Sequence, residues 1–161
     1  MDLFEVRDWT GEGAEDLGIS GPLGATYSEL KIIGYDPSAK TWVLWLRAHV
    51  PSIVRRDAEG RSELMATTKG SLPLQVYIYR WAGSGFESVD VAHAMKADYA
   101  VMDRDTGLIQ VGQHKNDGQN DGPAPGQKYR YEDGKLVPIA GAYPPAGAGA
   151  FWPDRQVPDC G

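Results

Sequence analysis

The sequence predicts an all-β protein made of short antiparallel sheets in a propeller-like arrangement, with at most one short helix. Aromatic residues (five Trp, eight Tyr and three Phe) recur beside Val, Ile and Thr in short runs, a composition that favours strands. Twenty Gly and eleven Pro supply the tight turns that many short strands need. A loop-plus-strand unit also recurs at an offset of 47 residues, the distance from Leu17 to Leu64. A repeat built of strands and turns predicts the blades of a propeller-like or stacked-sheet fold.

The first copy of the unit begins with a short strand and the loop Asp8-Trp9-Thr10-Gly11-Glu12-Gly13-Ala14-Glu15-Asp16. Glycine at the sixth place of this loop allows a sharp turn, so that several side-chain oxygens can point inward. A turn containing Asp36 and Pro37 joins the last two strands into a hairpin in which Trp42 faces Tyr35. The predicted strands of this copy are residues 4–6, 17–20, 29–35 and 41–47.

The second copy keeps the turn and changes its charges. Gly60 corresponds to Gly13 and Glu63 to Asp16, but Arg55 stands where the first copy has Asp8. Since an arginine cannot bind a cation, we expect Arg55 to pair with Glu59 or Glu63 and this copy to hold no metal. The predicted strands are residues 52–55, 64–68, 74–81 and 86–89.

The remainder of the chain predicts one short helix within residues 90–97 and two further hairpins. Asp133-Gly134 between β-prone runs is a strong signal for the last hairpin. We therefore predict a single β domain over residues 1–139 with two to three blade-like repeats, followed by a Pro/Gly/Ala-rich C-terminal tail over residues 140–161. The predicted strands of this part are residues 99–102, 108–111, 127–131 and 136–139.

Charge and composition argue against several classes of protein. A formal net charge of -6 argues against nucleic-acid binding, which needs clustered Lys and Arg. There is no apolar run near 18 residues, so we expect no membrane span. The one cysteine, Cys160, has no partner for an internal disulfide.

Three segments resemble known repeat families. Residues 6–17 (VRDWTGEGAEDL) resemble the calcium-loop segment of integrin-α-type propeller repeats (FG-GAP/VCBS-like), which are widespread in bacterial extracytoplasmic proteins. Residues 76–86 resemble the outer hairpin of such a blade. Residues 126–138 resemble the closing hairpin of periplasmic immunity lipoproteins of propeller-like fold that block peptidoglycan hydrolases. The chain departs from these families in having few blades, degenerate loop acids, and neither an export signal nor a lipobox cysteine.

The resemblance implies a calcium site in the opening loop, with Asp8, Thr10, Glu12 and Asp16 as ligands. Calcium prefers six to eight hard oxygens, and this set supplies part of that number. The alternative is a metal-free turn whose acids accept hydrogen bonds from loop N–H groups.

The resemblance also implies a protein partner for a Gly-x-x-Tyr element, here Gly126 and Tyr129, which in inhibitor families presents a loop to an enzyme's cleft. The alternative is that Tyr129 packs on a hairpin face with Tyr131. The three histidines, His49, His93 and His114, share no metal-ligand spacing, and no nucleophile or phosphate-loop motif occurs.

We therefore expect a non-enzymatic binding or structural module that acts outside the cytoplasm, in the periplasm or at the cell surface, given an export signal that this chain lacks. One alternative is an immunity or inhibitor protein that blocks a cell-wall lytic enzyme. The other is a hydrolase that uses two loop carboxylates in an open cleft. An exposed aromatic patch would indicate a binding surface, but alternation alone does not decide which face of a strand is exposed.

Overall fold

The fold was analysed in a computed structural model, which describes residues 3–24, 28–68, 74–113 and 126–139. The described chain forms three four-stranded antiparallel sheets and one short helix, which confirms the predicted all-β class and its propeller-like arrangement. Within this part of the chain, no helix has the length and apolar character that crossing a membrane requires. The predicted tail, residues 140–161, lies outside the described residues.

Each sheet is a meander in which strands that are consecutive in the sequence lie side by side. Sheet 1 contains β1 (Leu3–Arg7), β2 (Asp16–Pro22), β3 (Ser28–Asp36) and β4 (Thr41–His49). Sheet 2 contains β5 (Ile53–Arg56), β6 (Ser62–Thr67), β7 (Val76–Trp81) and β8 (Phe86–Asp90). Helix α1 (Val91–Ala94) leads into sheet 3, which contains β9 (Tyr99–Met102), β10 (Ile109–Gly112), β11 (Gln127–Glu132) and β12 (Lys135–Pro138).

The repeat is visible as shared topology. The loop after β1 and the loop after β5 occupy the same place in sheets 1 and 2, and each leads into a strand whose first buried carboxylate is Asp16 or Glu63. Sheet 3 follows the same plan, so the described residues contain three blade-like units.

Sheet 2 lies between the other two sheets and is covered on both faces. Leu64 and Ala66 belong to the apolar cluster shared with sheet 1, whereas Met65 packs in the cluster shared with sheet 3 and α1. This alternation explains why β6 is buried at five successive positions, from Ser62 to Ala66.

Local turn chemistry fixes the predicted hairpins. Asp36 accepts hydrogen bonds from Ser38 N at 2.8 Å and Ala39 N at 3.1 Å, which closes the turn between β3 and β4. Asp133 and Gly134 both have positive φ, at 46° and 76°, as a two-residue turn between twisted strands requires.

Candidate protein-interaction surface

A β-bulge at Trp45 decides which side chains of sheet 1 face outward. Ile32 pairs with Leu46 but Ile33 pairs with Leu44, so Trp45 is an extra residue in β4. Trp45 and Leu46 therefore both lie toward sheet 2, where Trp45 packs edge-on against Trp81 with ring centroids 5.2 Å apart. Strict alternation from Leu46 would have placed Leu44 in the core. The bulge shifts the alternation of inward and outward side chains by one residue, so Leu44 faces outward and is 50% exposed.

The resulting surface, which we call the outer apolar face, is the face of sheet 1 turned away from sheet 2. Trp42 and Phe4 are each 64% exposed and Val6 is 62% exposed. Five of the ten large apolar side chains exposed in the described part of the chain lie on this face. Its members, placed together by the strand register, are Phe4, Val6, Leu17, Ile19, Ile33, Tyr35, Trp42 and Leu44.

The aromatic end of this face confirms the predicted pairing of Tyr35 and Trp42. The two residues are opposite each other in the register, and their rings meet edge-on with centroids 5.7 Å apart. Both side chains remain about half exposed or more, so this contact leaves much of both rings accessible to solvent.

The other end of the face is charged. Glu29, which is buried, accepts a hydrogen bond from Arg47 Nε, and Lys31 Nζ lies 3.4 Å from its second carboxylate oxygen. The hydrogen bond from Arg47 lowers the pKa of Glu29 below its usual value. With one carboxylate and two cations, this end of the face has a net charge of +1.

The opposite end of the stack has a different character. The outward face of sheet 3 carries Gln110, Lys128 and Arg130 beside Val101 and Val137. Such a polar face is well suited to water, whereas the outer apolar face is not. The two terminal sheets of the stack are therefore not equivalent.

The opening loop brings Asp8, Thr10 and Asp16 together and leaves Glu12 exposed. Asp8 accepts hydrogen bonds from Gly11 N at 2.6 Å and Gly13 N at 3.0 Å. Asp16 Oδ2 accepts from Trp9 N at 3.1 Å and Thr10 N at 3.3 Å. These are the hydrogen bonds from loop N–H groups that the alternative interpretation predicted.

The two loop carboxylates have opposite pKa shifts. Burial acts to raise the pKa of Asp8, but the N–H groups of Gly11 and Gly13 and the charge of Arg56 outweigh it and leave the pKa lowered. Burial raises the pKa of Asp16, against the opposing effect of its two backbone hydrogen bonds.

A cation from the second sheet already lies beside this loop. Arg56 donates to the carbonyl oxygen of Asp8 at 2.6 Å, and its Nη2 lies 3.5 Å from Asp8 Oδ2. Within the described residues, no group of three or more His, Cys, Asp or Glu is arranged to hold a metal ion. The calcium site implied by the resemblance stays a prediction, and in this orientation Asp8 and Asp16 direct carboxylate oxygens at loop N–H groups.

The equivalent position in the second copy holds Arg55, and the structure confirms its predicted pairing with Glu63. Arg55 Nε lies 3.0 Å from Glu63 Oε2, and Arg55 Nη2 donates to the carbonyl oxygen of Tyr131 at 2.8 Å. The hydroxyl of Tyr131 donates to Glu63 Oε1 at 3.0 Å. Glu63 is 1% exposed, so this cluster joins sheets 2 and 3 around a buried carboxylate.

A groove of about 360 Å³ lies between sheets 2 and 3 beside this cluster. Arg55, Arg104 and Arg130 contribute positive charge to it, but Asp105 and Glu132 line it as well and Glu63 lies behind Arg55. The six charges cancel, so the groove has no net charge with which to select an anion.

Gly126 and Tyr129 lie in sheet 3 and its edge rather than on a presented loop. Tyr129 is fully buried, and burial raises the pKa of its hydroxyl. A Cβ on Gly126 would lie 2.5 Å from the carbonyl oxygen of Val111, so this position is also tightly enclosed. Tyr129 packs in the same cluster as Tyr131, as the alternative interpretation predicted, and in this fold it offers no surface to a partner.

The two histidines in the described part of the chain, His49 and His93, lie on different elements, β4 and α1. His49 stacks on Tyr77 with ring centroids 5.3 Å apart, and burial lowers its pKa below 6.5. His93 is exposed on α1, and its backbone N–H donates to the N-cap residue Asp90. His114 lies outside the described residues.

Sequence reasoning did not single out Phe4, Val6 and Leu44 as functional residues. One signal was present: residues 42–46 (WVLWL) form an uninterrupted apolar run. An antiparallel strand with one solvated face normally alternates, so such a run indicates that a second covering layer is needed.

Comparisons of the chain with models of protein families, with curated proteins and with solved structures found no match. The function is therefore inferred from the residues and contacts described above.

Proposed function

We propose that the chain is a non-enzymatic binding or structural module built on propeller-like repeats, and that it docks on a protein through the outer apolar face. The observation that carries this proposal is the exposure of Phe4, Val6, Trp42 and Leu44, each at least half exposed, on one continuous face of sheet 1.

The physical argument is the cost of leaving this face in water. Burying one large apolar side chain is worth about 1.5–3 kcal/mol, and contiguous exposed apolar patches mark interaction sites on soluble proteins. Trp and Tyr are also the side chains most enriched among residues that dominate binding energies. One end of the outer apolar face carries one residue of each type, Trp42 and Tyr35.

The ion pairs of the carboxylates in the clefts beside sheet 2 support a binding function rather than a catalytic one. In the smaller cleft beside sheet 2, Asp57 is paired with Arg61 at 2.9 Å and Arg80 at 3.7 Å. Carboxylates that are held in ion pairs are poorly placed to serve as a general acid or nucleophile. The proposal therefore assigns these groups to structure.

The proposed place of action is outside the cytoplasm, in the periplasm or at the cell surface. The resemblance of the opening loop to repeats of extracytoplasmic proteins supports this part of the proposal. Fractionation of source cells that express the complete gene tests it, and recovery of the protein only from the cytoplasmic fraction would contradict it.

The docking surface is tested by immobilising the parent protein and two lysine variants and passing an envelope extract of the source cells over each. Leu44→Lys alters the centre of the outer apolar face, and Val137→Lys is the control, because Val137 is 43% exposed on the outward face of sheet 3. We expect a protein to be retained by the parent and by Val137→Lys, and its recovery to fall at least about tenfold with Leu44→Lys, which corresponds to about 1.4 kcal/mol.

Equal retention by all three proteins, with unchanged melting temperatures, would contradict the proposed surface. A retained peptidoglycan hydrolase would support the immunity alternative.

A further inference from the structure

The outer apolar face has the same construction as the two faces of sheet 2 that are already covered. In each existing contact, a four-stranded antiparallel sheet of one repeat packs its apolar side chains on the sheet of the next repeat. We propose that the outer apolar face packs on the same face of a second copy of this chain, related by a two-fold axis. This inference rests on the docking surface proposed above and names its partner.

The charges on the terminal faces favour this closed pairing over a head-to-tail chain of copies. Stacking the outer apolar face on the outward face of sheet 3 of another copy would bring two surfaces of net positive charge together. Lys31 and Arg47 exceed Glu29 by one charge on the first surface. On the second, the cations Lys128, Arg130 and Lys135 exceed the acids Asp103 and Glu132 by one charge. Like charges brought together in a desolvated contact are unfavourable, so that arrangement is opposed. Pairing of identical faces avoids this and closes at two copies.

A two-fold axis between the sheets and perpendicular to their strands makes the face complementary to itself. It sets the end that carries Arg47 over the end that carries Trp42 in the other copy, twice in each dimer. A guanidinium over an indole ring is a favourable contact, and the protein already contains one, with Arg7 3.9 Å from the ring centre of Trp9. The apolar rows through Val6 and Leu44 then meet at the centre.

The size of the face suits a reversible dimer. Strands of five, seven, nine and nine residues, at about 3.3 Å per residue and about 4.8 Å between strands, give roughly 500 Å² of sheet per copy. Two such faces total about 1,000 Å², near the lower limit for a specific interface. We therefore expect dissociation in the micromolar range.

Sedimentation velocity of the full chain from about 1 to about 200 µM, with a reductant to keep Cys160 as a thiol, tests this inference. The parent should shift from 17.5 kDa toward about 35 kDa as its concentration rises. Leu44→Lys should remain monomeric over the range, and Val137→Lys should associate like the parent. Far-UV circular dichroism confirms that each variant is folded, and Val6→Lys replaces Leu44→Lys should that variant unfold.

Arg47→Ala and Trp42→Ala test the orientation of the pair. Each single substitution should weaken the dimer severalfold, and the double variant should weaken it by less than the product of the two, because both remove the same contact.

A parent that stays monomeric at about 200 µM overturns the second copy as partner, whereas the docking surface itself is judged separately by the retention experiment. A dimer that persists with a folded Leu44→Lys or Val6→Lys overturns the assignment to this face. Loss of the dimer in Val137→Lys as well would also overturn it, because the effect would then follow charge rather than position.

Discussion

At the scale of residues, the buried carboxylate of Glu63 shows how the sheets are held in register with one another. Glu63 is almost inaccessible, and both of its oxygens have partners, Arg55 on β5 and the Tyr131 hydroxyl on β11. Burying a charge is costly unless the charge is paired and hydrogen-bonded. Arg55 and Tyr131 therefore offset the cost of burying the Glu63 carboxylate.

Removing Arg55 should therefore destabilise the protein far more than removing an exposed arginine. We expect Arg55→Ala to lower the free energy of unfolding by about 2–3 kcal/mol, below the usual cost of breaking a buried pair because Arg55 is about one-third exposed. Tyr131→Phe should cost about 1–3 kcal/mol. Urea denaturation provides the measurement.

Arg130→Ala is the matched control, since Arg130 is 62% exposed and forms a 3.4 Å ion pair with Glu132, which is itself exposed. Its effect should stay below about 1 kcal/mol. Equal effects of Arg55→Ala and Arg130→Ala would show that the cluster is not a structural link between the sheets.

At the scale of elements, the opening loop joins sheet 1 to sheet 2. Besides the Arg56 contacts to Asp8, the backbone of Ser62 donates to the Thr10 carbonyl oxygen at 3.0 Å, which places the loop against the β5–β6 hairpin. The side chain of the loop residue Trp9 packs in the core between the two sheets, directly against Gly18. A Cβ atom on residue 18 would lie 2.6 Å from the indole nitrogen of Trp9, so a larger residue than glycine would not fit at this position. The loop is thus a connection between sheets as well as a turn.

This arrangement predicts the response of the loop to mutation and to calcium. Asp8→Ala should lower the free energy of unfolding by about 1–2 kcal/mol, because two backbone N–H groups lose their acceptor. Calcium should leave the melting temperature of the parent unchanged, because Arg56 supplies the positive charge beside Asp8. Thermal unfolding with calcium and with a chelator gives both answers.

Glu12→Ala serves as the control because Glu12 is exposed, and we expect a change within about 0.5 kcal/mol. A calcium-dependent rise in melting temperature that Asp8→Ala abolishes would instead support the calcium site implied by the family resemblance.

At the scale of the whole molecule, several titratable groups link stability to pH in the same direction. The pKa of His49 is lowered by burial, so the folded state favours its neutral form. The pKa of Glu29 is lowered by its hydrogen bond from Arg47, and that of Asp103 by the N–H of Thr106. Asp16 acts in the opposite direction because burial raises its pKa.

Stability should therefore fall on acidification, first through His49 and then through the carboxylates. The contribution of His49 is fully present above 6.5, its unfolded value, and is lost as the pH falls toward the folded pKa. The contributions of Glu29 and Asp103 are present above 4.5 and 3.8 and are lost as the pH falls through their folded values. Urea denaturation at several pH values measures the slope.

His49→Phe should reduce the fall in stability between about pH 7 and about pH 5 while it keeps a ring against Tyr77. The control is substitution of His93, the exposed histidine of α1, by Asn, which should leave the His49-dependent fall in place. An unchanged slope in His49→Phe would exclude His49 as its source.

The sequence by itself determined the strands, the turns and the phase of the repeat. The β3–β4 and β11–β12 hairpins were predicted because Asp36-Pro37 and Asp133-Gly134 impose their turns locally, whatever lies around them. The correspondence of Glu63 with Asp16 was also predicted, because loop length and glycine position are readable in the chain.

Only the tertiary structure decided which faces and groups are buried. The single extra residue at Trp45 turns Trp42 and Leu44 outward, and the packing of sheet 3 on sheet 2 encloses Tyr129. The cation beside Asp8 is Arg56, which lies 48 residues away in the sequence. Local periodicity cannot specify such contacts, because they depend on how one sheet lies on another. The candidate interaction surface is for that reason a property of the assembled sheets.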